Sequence, residues 1–371
     1  MPAHEVMVVG GGPVGLLFTT LLLQQGMDAV VFERRGETDT RTRAIGIHPP
    51  GLDALDAAGI GAALRSEALE LDGGEVRSRR RLLAAVRFDA DRPVHVLAQP
   101  RTDALLRARL RELSPEALRP GRTVRSLRDD GREVTAQVEG AEGAREVSAA
   151  LAVVADGVHS GLRRALGAGW RRTPGAAPYA MLDADDPEPD RVAVLHCEPE
   201  GLVESFPLPG GRRRWVLRQD RPTAIDAADF RARIAQRTGI RLSIDPGTQP
   251  ARFLASQHVA ERFAQGRIAL LGDAAREISP IGGQGMNLGW SDAVALADIV
   301  GRSSRRRPDL EGYARDARRS ARRAQRRSAF YMSMGAPATG TRLIAREALM
   351  SALGTRPIRG WTAGLITMRG L

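Results

Sequence analysis

Glycines 10, 12 and 15 stand in the spacing G-x-G-x-x-G within EVMVVGGGPVGLLFTTLLLQQGMDAVVFERR, residues 5–35. Glycines so spaced bring bare backbone N–H groups up against a charged oxygen. Gly10 permits the tight turn, Gly12 lets a pyrophosphate approach the backbone, and Gly15 lets helix and strand pack closely. The free N–H groups and positive dipole end of the helix that follows favour phosphate. Glu33 lies 18 residues after Gly15, placed to accept from a ribose hydroxyl and to disfavour a 2′-phosphate. Pro13, at the helix start, and Arg34, beside the acid, complete this candidate set. The spacing implies a dinucleotide and leaves NAD and FAD both open.

A second glycine-rich stretch, GDAAREISPIGGQGMNLG, occupies residues 272–289 and is a different motif. The apolar run RIALL before it reads as a buried strand, so Asp273 falls at a strand end facing the ligand crevice of an α/β sheet. There a carboxylate can accept from a sugar-alcohol hydroxyl or hold water near a phosphate. Pro280, Gly282, Gly283 and Gly285 form a loop without bulky Cβ atoms, and a helix is predicted over 286–300. A flat ring can lie against the N–H groups at that helix start, where the dipole favours developing negative charge. Met286 and Asn287 join Pro280, Gly283 and Gly285 as candidate contacts. The first loop is expected to hold phosphates and the second a ring such as a flavin.

With VVADGVHSGLRRALG (residues 153–167) these stretches make three motifs in order. Together they resemble the FAD-dependent aromatic hydroxylases typified by para-hydroxybenzoate hydroxylase and the ubiquinone-pathway hydroxylases. The middle segment, with Asp156, Gly157, Ser160 and Arg163, looks like that family's DG motif; Asp273 opens its GD motif. The resemblance spans roughly residues 5–300. It implies Arg43 near the FAD pyrophosphate, Gln99 and Arg101 near the ribityl chain, and Arg214 on a substrate-domain strand behind the flavin. One position departs: the family usually carries His after GDAA, and Arg276 stands here.

The elements that must position these residues imply an α/β fold. A Rossmann-like FAD-binding domain of the glutathione reductase type is interleaved with a mixed or antiparallel substrate sheet, and C-terminal helices follow. Residues 1–75, 98–170 and 257–330 are assigned to the FAD-binding domain, 76–97 and 171–256 to the substrate-binding domain, and 331–371 to a C-terminal helical segment. Strands are predicted at RVAVLHC, GLVESFPL and RRWVLRQ, and helices at 226–237, 310–329 and 341–353. The Gly/Pro-rich RRTPGAAPYAMLDADDPEPD (171–190) reads as a loop or crossing segment. The helix at 310 carries a 3–4-spaced stripe of Leu310, Tyr313, Ala314, Ala317 and Ala321. Residues 341–353 read as a cover for the core, with a second subunit or a membrane surface as alternatives.

Net charge is +11, yet lysine is absent and all 55 basic residues are arginine. That bias reads as a genome-wide codon effect and a solvated basic surface. Aromatics make up 4%, so stacking platforms for single-stranded nucleic acid are not evident, and no nucleic-acid partner is expected. One cysteine, Cys197, excludes an internal disulfide or a CxxC metal cluster; no metal is expected. No run approaches the ~18 apolar residues of a membrane span. A cytoplasmic monomer or homodimer is expected, with no length left for the thioredoxin-like domain of some phenol hydroxylases.

No second G-x-G-x-x-G follows a strand, which disfavours the two-dinucleotide reductases. Without lysine, or a W-x-W pair among its four tryptophans, the chain does not match flavin halogenases. The resemblance then implies a single-component monooxygenase: NAD(P)H reduces tightly bound FAD, O2 adds to give a C4a-hydroperoxide, and an electron-rich aromatic carbon takes the distal oxygen. Arg214 and Pro280 are the candidate catalytic residues. Tyr179, His196, Glu204 and His48 are candidate substrate bases by region only. A phenolic or polyketide-like substrate in bacterial secondary metabolism is expected. An epoxidase, an oxidase or dehydrogenase without oxygen transfer, and a non-enzymatic flavin-binding protein stay open.

Overall fold

The computed structural model describes residues 2–37, 44–245, 247–281, 283–303 and 308–355, with positions 364, 367 and 368. Its first sheet grows from short apolar runs that can be buried on both faces. Parallel strands β1 (His4–Val9), β2 (Ala29–Glu33), β8 (Leu118–Pro120), β11 (Gly143–Val154) and β18 (Ile268–Leu270) line up as β18-β11-β1-β2-β8. Antiparallel strands flank them: β17 (Ala264–Gln265) on β18, and β9 (Thr123–Asp129) and β10 (Val134–Gly140) on the first half of β11. Such parallel strands need helical cover. Helices α1 (Pro13–Gln24), α4 (Gln99–Leu113) and α7 (Gln284–Gly301) pack there. Val6–Val9, Leu16, Leu17, Phe18, Val30–Phe32, Leu151–Val154, Ile268–Leu271 and Trp290 share one core.

The second sheet runs β19-β16-β12-β15-β14-β13-β5-β6. Its strands are β5 (Gly73–Ser78), β6 (Arg81–Arg87), β12 (Arg171–Asp185), β13 (Val192–Glu198), β14 (Gly201–Leu208), β15 (Arg212–Arg218), β16 (Ala251–Val259) and β19 (Arg276–Glu277). All neighbours are antiparallel except β13 and β5. A small antiparallel sheet joins β3 (Gly46–Ile47), β7 (Val94–Val96) and β4 (Leu69–Leu71). Helices α2 (Pro49–Ala57), α3 (Gly61–Glu67) and α5 (Gly161–Ala165) are short connectors.

One expectation needs correction. Residues 171–185 are not a loop but the 15-residue strand β12, bonded on both sides to β15 and β16. Pro174 and Gly175 fall inside the register shift between Thr173 and Ala177, where Gly175 takes φ +103°. An irregularity is where a strand tolerates proline and glycine, so the composition marked a break in the ladder rather than its end.

Side chains on the second sheet alternate between two faces. Ala180, Leu182, Val203, Trp215 and Leu217 meet Phe230 and Ile234 of α6 (Ala227–Thr238). Tyr179, Cys197, Leu202, Val216 and Ala255 face the other way, against Ile281, Met332 and Met350. Those last two belong to α8 (Leu310–Met334) and α9 (Gly340–Leu353). The stripe of α8 from Leu310 to Ala321 lies in the core of the first sheet. On α9, Arg346 donates to the Cys197 and Glu198 carbonyls, and Glu347 pairs with Arg79, so this helix covers the second sheet. No helix among the described residues is long and apolar enough to cross a membrane.

Candidate functional site

Strands β2, β1, β11 and β18 are consecutive neighbours and parallel. Their C-terminal ends deliver, side by side, Glu33, the Gly10–Gly15 turn, the Asp156–Gly157 segment and Asp273. Ligands of open α/β sheets bind in the crevice at such ends. Three glycines play different parts in the turn. A Cβ on Gly10 would lie 2.3 Å from the Ala155 carbonyl oxygen, and Gly10 takes φ +111°. One on Gly15 would lie 2.1 Å from the Gly10 carbonyl oxygen, whereas one on Gly12 would meet nothing within 4 Å. The outer glycines let backbone meet backbone; the middle one faces open space. Gly12 caps α1 with no side-chain hydrogen bond, Pro13 sits in the first turn, and no acid stands there. The first N–H groups of α1 are thus left for an anion.

Glu33 is buried and accepts from the Gly11 N–H at 2.8 Å and the Arg35 N–H at 2.9 Å. Exposed Arg34 lies close enough to Asp156 to favour its ionised form. Burial nonetheless pushes the Asp156 carboxyl above the usual range, opposed by Ser160, Arg163 and Arg34. Gly157 takes φ +87°. Arg163 ties this segment to the second loop: it donates to the Ala274 carbonyl at 3.1 Å and stacks 3.5 Å over the Trp170 ring. Burial lowers its pKa.

After β18 the chain makes a 3-10 turn at Gly272–Ala274, which leaves Asp273 exposed at the crevice. Exposed Pro280 accepts from the Gly283 N–H at 2.9 Å. Gly283, at φ +65°, caps α7 without a side-chain hydrogen bond, and α7 has no acid in its first turn. Gly285 and Met286 are half-buried in that turn. Asn287 plays a part the sequence did not show. Its Oδ1 accepts from the His48 N–H at 2.9 Å, while Nδ2 donates to the Gly46 and Gly283 carbonyls at 3.0 and 2.9 Å. Its side chain clamps the β3 segment to the helix start and is spent on that. Trp290 donates to the Pro13 carbonyl at 3.2 Å, so α7 also grips the first loop.

Arg276, at the position of the family's histidine, turns inward. It is 2% exposed and forms an ion pair with Asp292 of α7. Burial raises the Asp292 pKa and Arg276 opposes it.

Other expected residues fall as follows. Gln99 opens α4 and accepts from the Ala44 N–H at 3.4 Å. Arg101 is exposed and bidentate on Glu67 at 2.8 and 2.7 Å. Arg43 lies outside the described residues. Arg214 is buried on the inner face of the second sheet and holds Asp183 at 2.7 and 2.8 Å. The four base candidates separate by face. His196 adjoins Val203, which faces α6, and stacks with Trp215 6.2 Å away, so it points away from the loop. Burial drops its pKa to about 4. Tyr179 and Glu204 face Ile281, and burial pushes the Tyr179 phenol up to about 12. His48 approaches Gly283, whose Cβ would lie 3.1 Å from the ring Nε2. Sequence reasoning missed Arg107, which donates to the Gly11 carbonyl at 3.0 Å from 96 positions away; nothing local to either residue signals that bond.

A family model described as FAD binding domain matches residues 3–328. The chain belongs to that family. Its residues fit FAD: a glycine turn, open at Gly12, that leads into a helix whose first N–H groups are unspent, a carboxylate at the end of β2, and a second carboxylate and an acid-free helix start beside them. The 12-dehydrotetracycline 5-monooxygenase/anhydrotetracycline 6-monooxygenase of Streptomyces rimosus is 33% identical over 352 residues, covering 86% of this chain and 69% of that protein. The OxyS anhydrotetracycline hydroxylase from Streptomyces rimosus superposes with TM-score 0.79 at 29% identity, over 99% of this chain and 76% of that one. The p-nitrophenol 4-monooxygenase PnpA from Pseudomonas putida matches with TM-score 0.86 over 99% and 98%, and at 23% identity it shows the fold alone. This FAD-family chain is thus related in sequence and structure to aromatic hydroxylase flavoproteins.

Proposed function

We propose that the chain is an NAD(P)H- and O2-dependent FAD monooxygenase that hydroxylates a polycyclic, polyketide-like aromatic compound. The observation that carries this reading is the apposition of the second loop to an apolar sheet face. Ile281, next to Pro280, packs with Tyr179, Val216, Ala255 and Met332. A ring held at the start of α7 would have that face in front of it. In this reading residues 1–75, 98–170 and 257–330 form the cofactor domain, of glutathione reductase type, and 76–97 and 171–256 the substrate domain.

Bound flavin supplies the reductive activation of O2; the chain's own residues supply placement and field. The turn at Gly10–Gly15 holds the pyrophosphate, Glu33 the ribose, and Asp273 the ribityl chain. The start of α7, with its uncapped N–H groups, stabilises negative charge at the ring. The apolar face excludes water, which protects a reactive oxygen species from wasteful decay. Arg214, fixed by Asp183, places positive charge on the same face. NAD(P)H acts transiently, in keeping with one G-x-G-x-x-G turn in the sequence.

The test is turnover under 18O2 with NADH or NADPH, using anhydrotetracycline and simpler polycyclic phenols as probes. The expected product carries one labelled oxygen atom, with one equivalent of reductant consumed. Stoichiometric hydrogen peroxide and a product free of label would overturn the reading in favour of an oxidase. A labelled epoxide would keep oxygen transfer and change its target.

A further inference from the structure

Glu204 is a carboxyl group without a structural use. It is 3% exposed, at the centre of β14. No hydrogen bond or ion pair among the described residues meets it, although burying a carboxyl group without a partner is costly. Its placement is defined on every side. Along β14 it alternates with Val203, which packs under α6, and shares its face with Leu202, which packs against Met332. Across the sheet it stands opposite Val216 on one side and Leu195 on the other. Both side chains belong to the cluster that includes Ile281. The acid at the middle of this face therefore lies on the side of the sheet against which Ile281 of the second loop packs.

We propose that Glu204 takes the proton from the phenolic hydroxyl of an aromatic substrate lying between this sheet face and the Pro280–Ile281 segment. The proposal rests on the monooxygenase reading above. In the step, the phenol O–H bond breaks, an O–H bond forms on a Glu204 carboxyl oxygen, and the electron pair stays on the phenolate. The added charge makes the ring carbons ortho and para to it better nucleophiles. Nothing is oxidised, and no further reactant is needed.

The chemistry of the position suits this role. Burial alone pushes the Glu204 pKa up to about 8. A phenol titrates near ~10 and an ordinary Glu near ~4.3, so burial narrows the gap for proton transfer. The charged and titratable neighbours on the face are few. Tyr179 and Cys197 both sense Glu204, and both are themselves raised by burial to about 12. Arg214 is held by Asp183, and Arg218 reaches the Met332 carbonyl at 3.5 Å. Of the packed helices, α8 brings Tyr331 and Arg327, and α9 brings Arg346, which donates to backbone carbonyls, and Glu347, which is paired with Arg79. The other acids on these elements are paired with arginine or raised by burial, and the fraction of Glu204 able to accept a proton grows as pH rises towards 8.

The test uses the FAD-loaded full chain and its Glu204→Gln and Glu204→Leu variants. The probe is alizarin, a polycyclic phenol whose colour reports its ionisation. Wild type is expected to bind the dye and to shift the pH of its colour change. Glu204→Gln should bind at least tenfold more weakly at pH 8, and its bound dye should titrate as free dye does. Both variants should keep their FAD and melt at or above the wild-type Tm. The proposal is overturned if the wild type does not bind the dye, or if Glu204→Gln keeps wild-type affinity and titration. It is also overturned if both variants melt lower and lose FAD, which makes Glu204 a structural residue. Dye binding needs no turnover, so the two readings fail separately. A Glu204-dependent titration without labelled product sinks the monooxygenase reading alone; labelled product with an unchanged titration sinks this assignment alone.

Discussion

The two glycine loops solve opposite problems. In the first, a Cβ at Gly10 or Gly15 would run into backbone carbonyl oxygens 2.3 and 2.1 Å away, which cannot step aside. In the second, a Cβ at Gly283 would meet the end of the His48 side chain at 3.1 Å, and one at Gly285 would meet ordinary contacts at 3.7 Å. The first loop is shaped by close backbone packing. The second is shaped by side-chain contacts: His48 and Arg163 reach it from elsewhere, and its own Asn287 ties it to the Gly46 carbonyl. A pyrophosphate asks for a fixed cradle of N–H groups. A ring that must accept a reductant and then face a substrate asks for a seat whose geometry is set by replaceable contacts.

The largest test of that contrast is Gly15→Ala. Its Cβ collides with backbone, so the variant should lose FAD altogether and fall into insoluble protein; a yellow, soluble variant would break the comparison. Next is Arg276→Ala, which strands buried Asp292 and should cost about 3–5 kcal/mol in denaturant melts. Replacing both partners with apolar residues of similar size should restore most of it, since desolvation of the pair is then avoided. Asp273→Ala removes a carboxylate from the crevice and should weaken FAD binding by about 10–100-fold, as loss of a charge-assisted hydrogen bond does. Flavin fluorescence titration reads it, and full FAD retention would remove Asp273 from the site.

Two smaller effects sharpen the picture. Glu204 has its folded pKa raised from 4.5 to about 8, so the folded state holds the extra proton between those values. Its contribution is complete below about pH 4.5 and is lost as pH rises through 8. Melting curves of Glu204→Gln should therefore decline less than wild type across that window; parallel curves would contradict the burial of an unpaired acid. Gly285→Ala, in the first turn of α7 and sterically free, should change Tm by no more than a degree or two and leave FAD content intact. A loss like that of Gly15→Ala would show that both loops are backbone-locked.

Local signals carried much of the fold. The glycine spacing with its flanking apolar strands placed α1 and β2 to within a residue, with Glu33 ending β2, and β1 to within two, since the strand starts at His4 ahead of the apolar run. GLVESFPL is β14 as expected, because its alternating apolar side chains have two faces to cover. α8 runs five residues past the expected end at Ala329, to Met334, since Met332 packs on the second sheet and no breaker intervenes. What stayed hidden depends on partners far away in the chain. His48 and Asn287 are 239 positions apart, and Arg163 and Ala274 are 111 apart. Neither member of such a pair carries a local sign of the other. Arg276 was visible as a departure, but its turn towards Asp292 follows from the packing of β19 beside α7. Glu204 was one acid among several until the register of β14 against β15 showed which face it occupies.

The measurement that bears most directly on the account is rapid mixing of anaerobically reduced enzyme with oxygenated buffer, followed in the visible spectrum with and without a polycyclic phenol. The account expects a transient absorbing species, distinct from reduced and oxidised flavin, that precedes reoxidation and decays faster with substrate present. Direct return to the oxidised spectrum under both conditions would contradict oxygen transfer and leave the second loop as a part of FAD binding only.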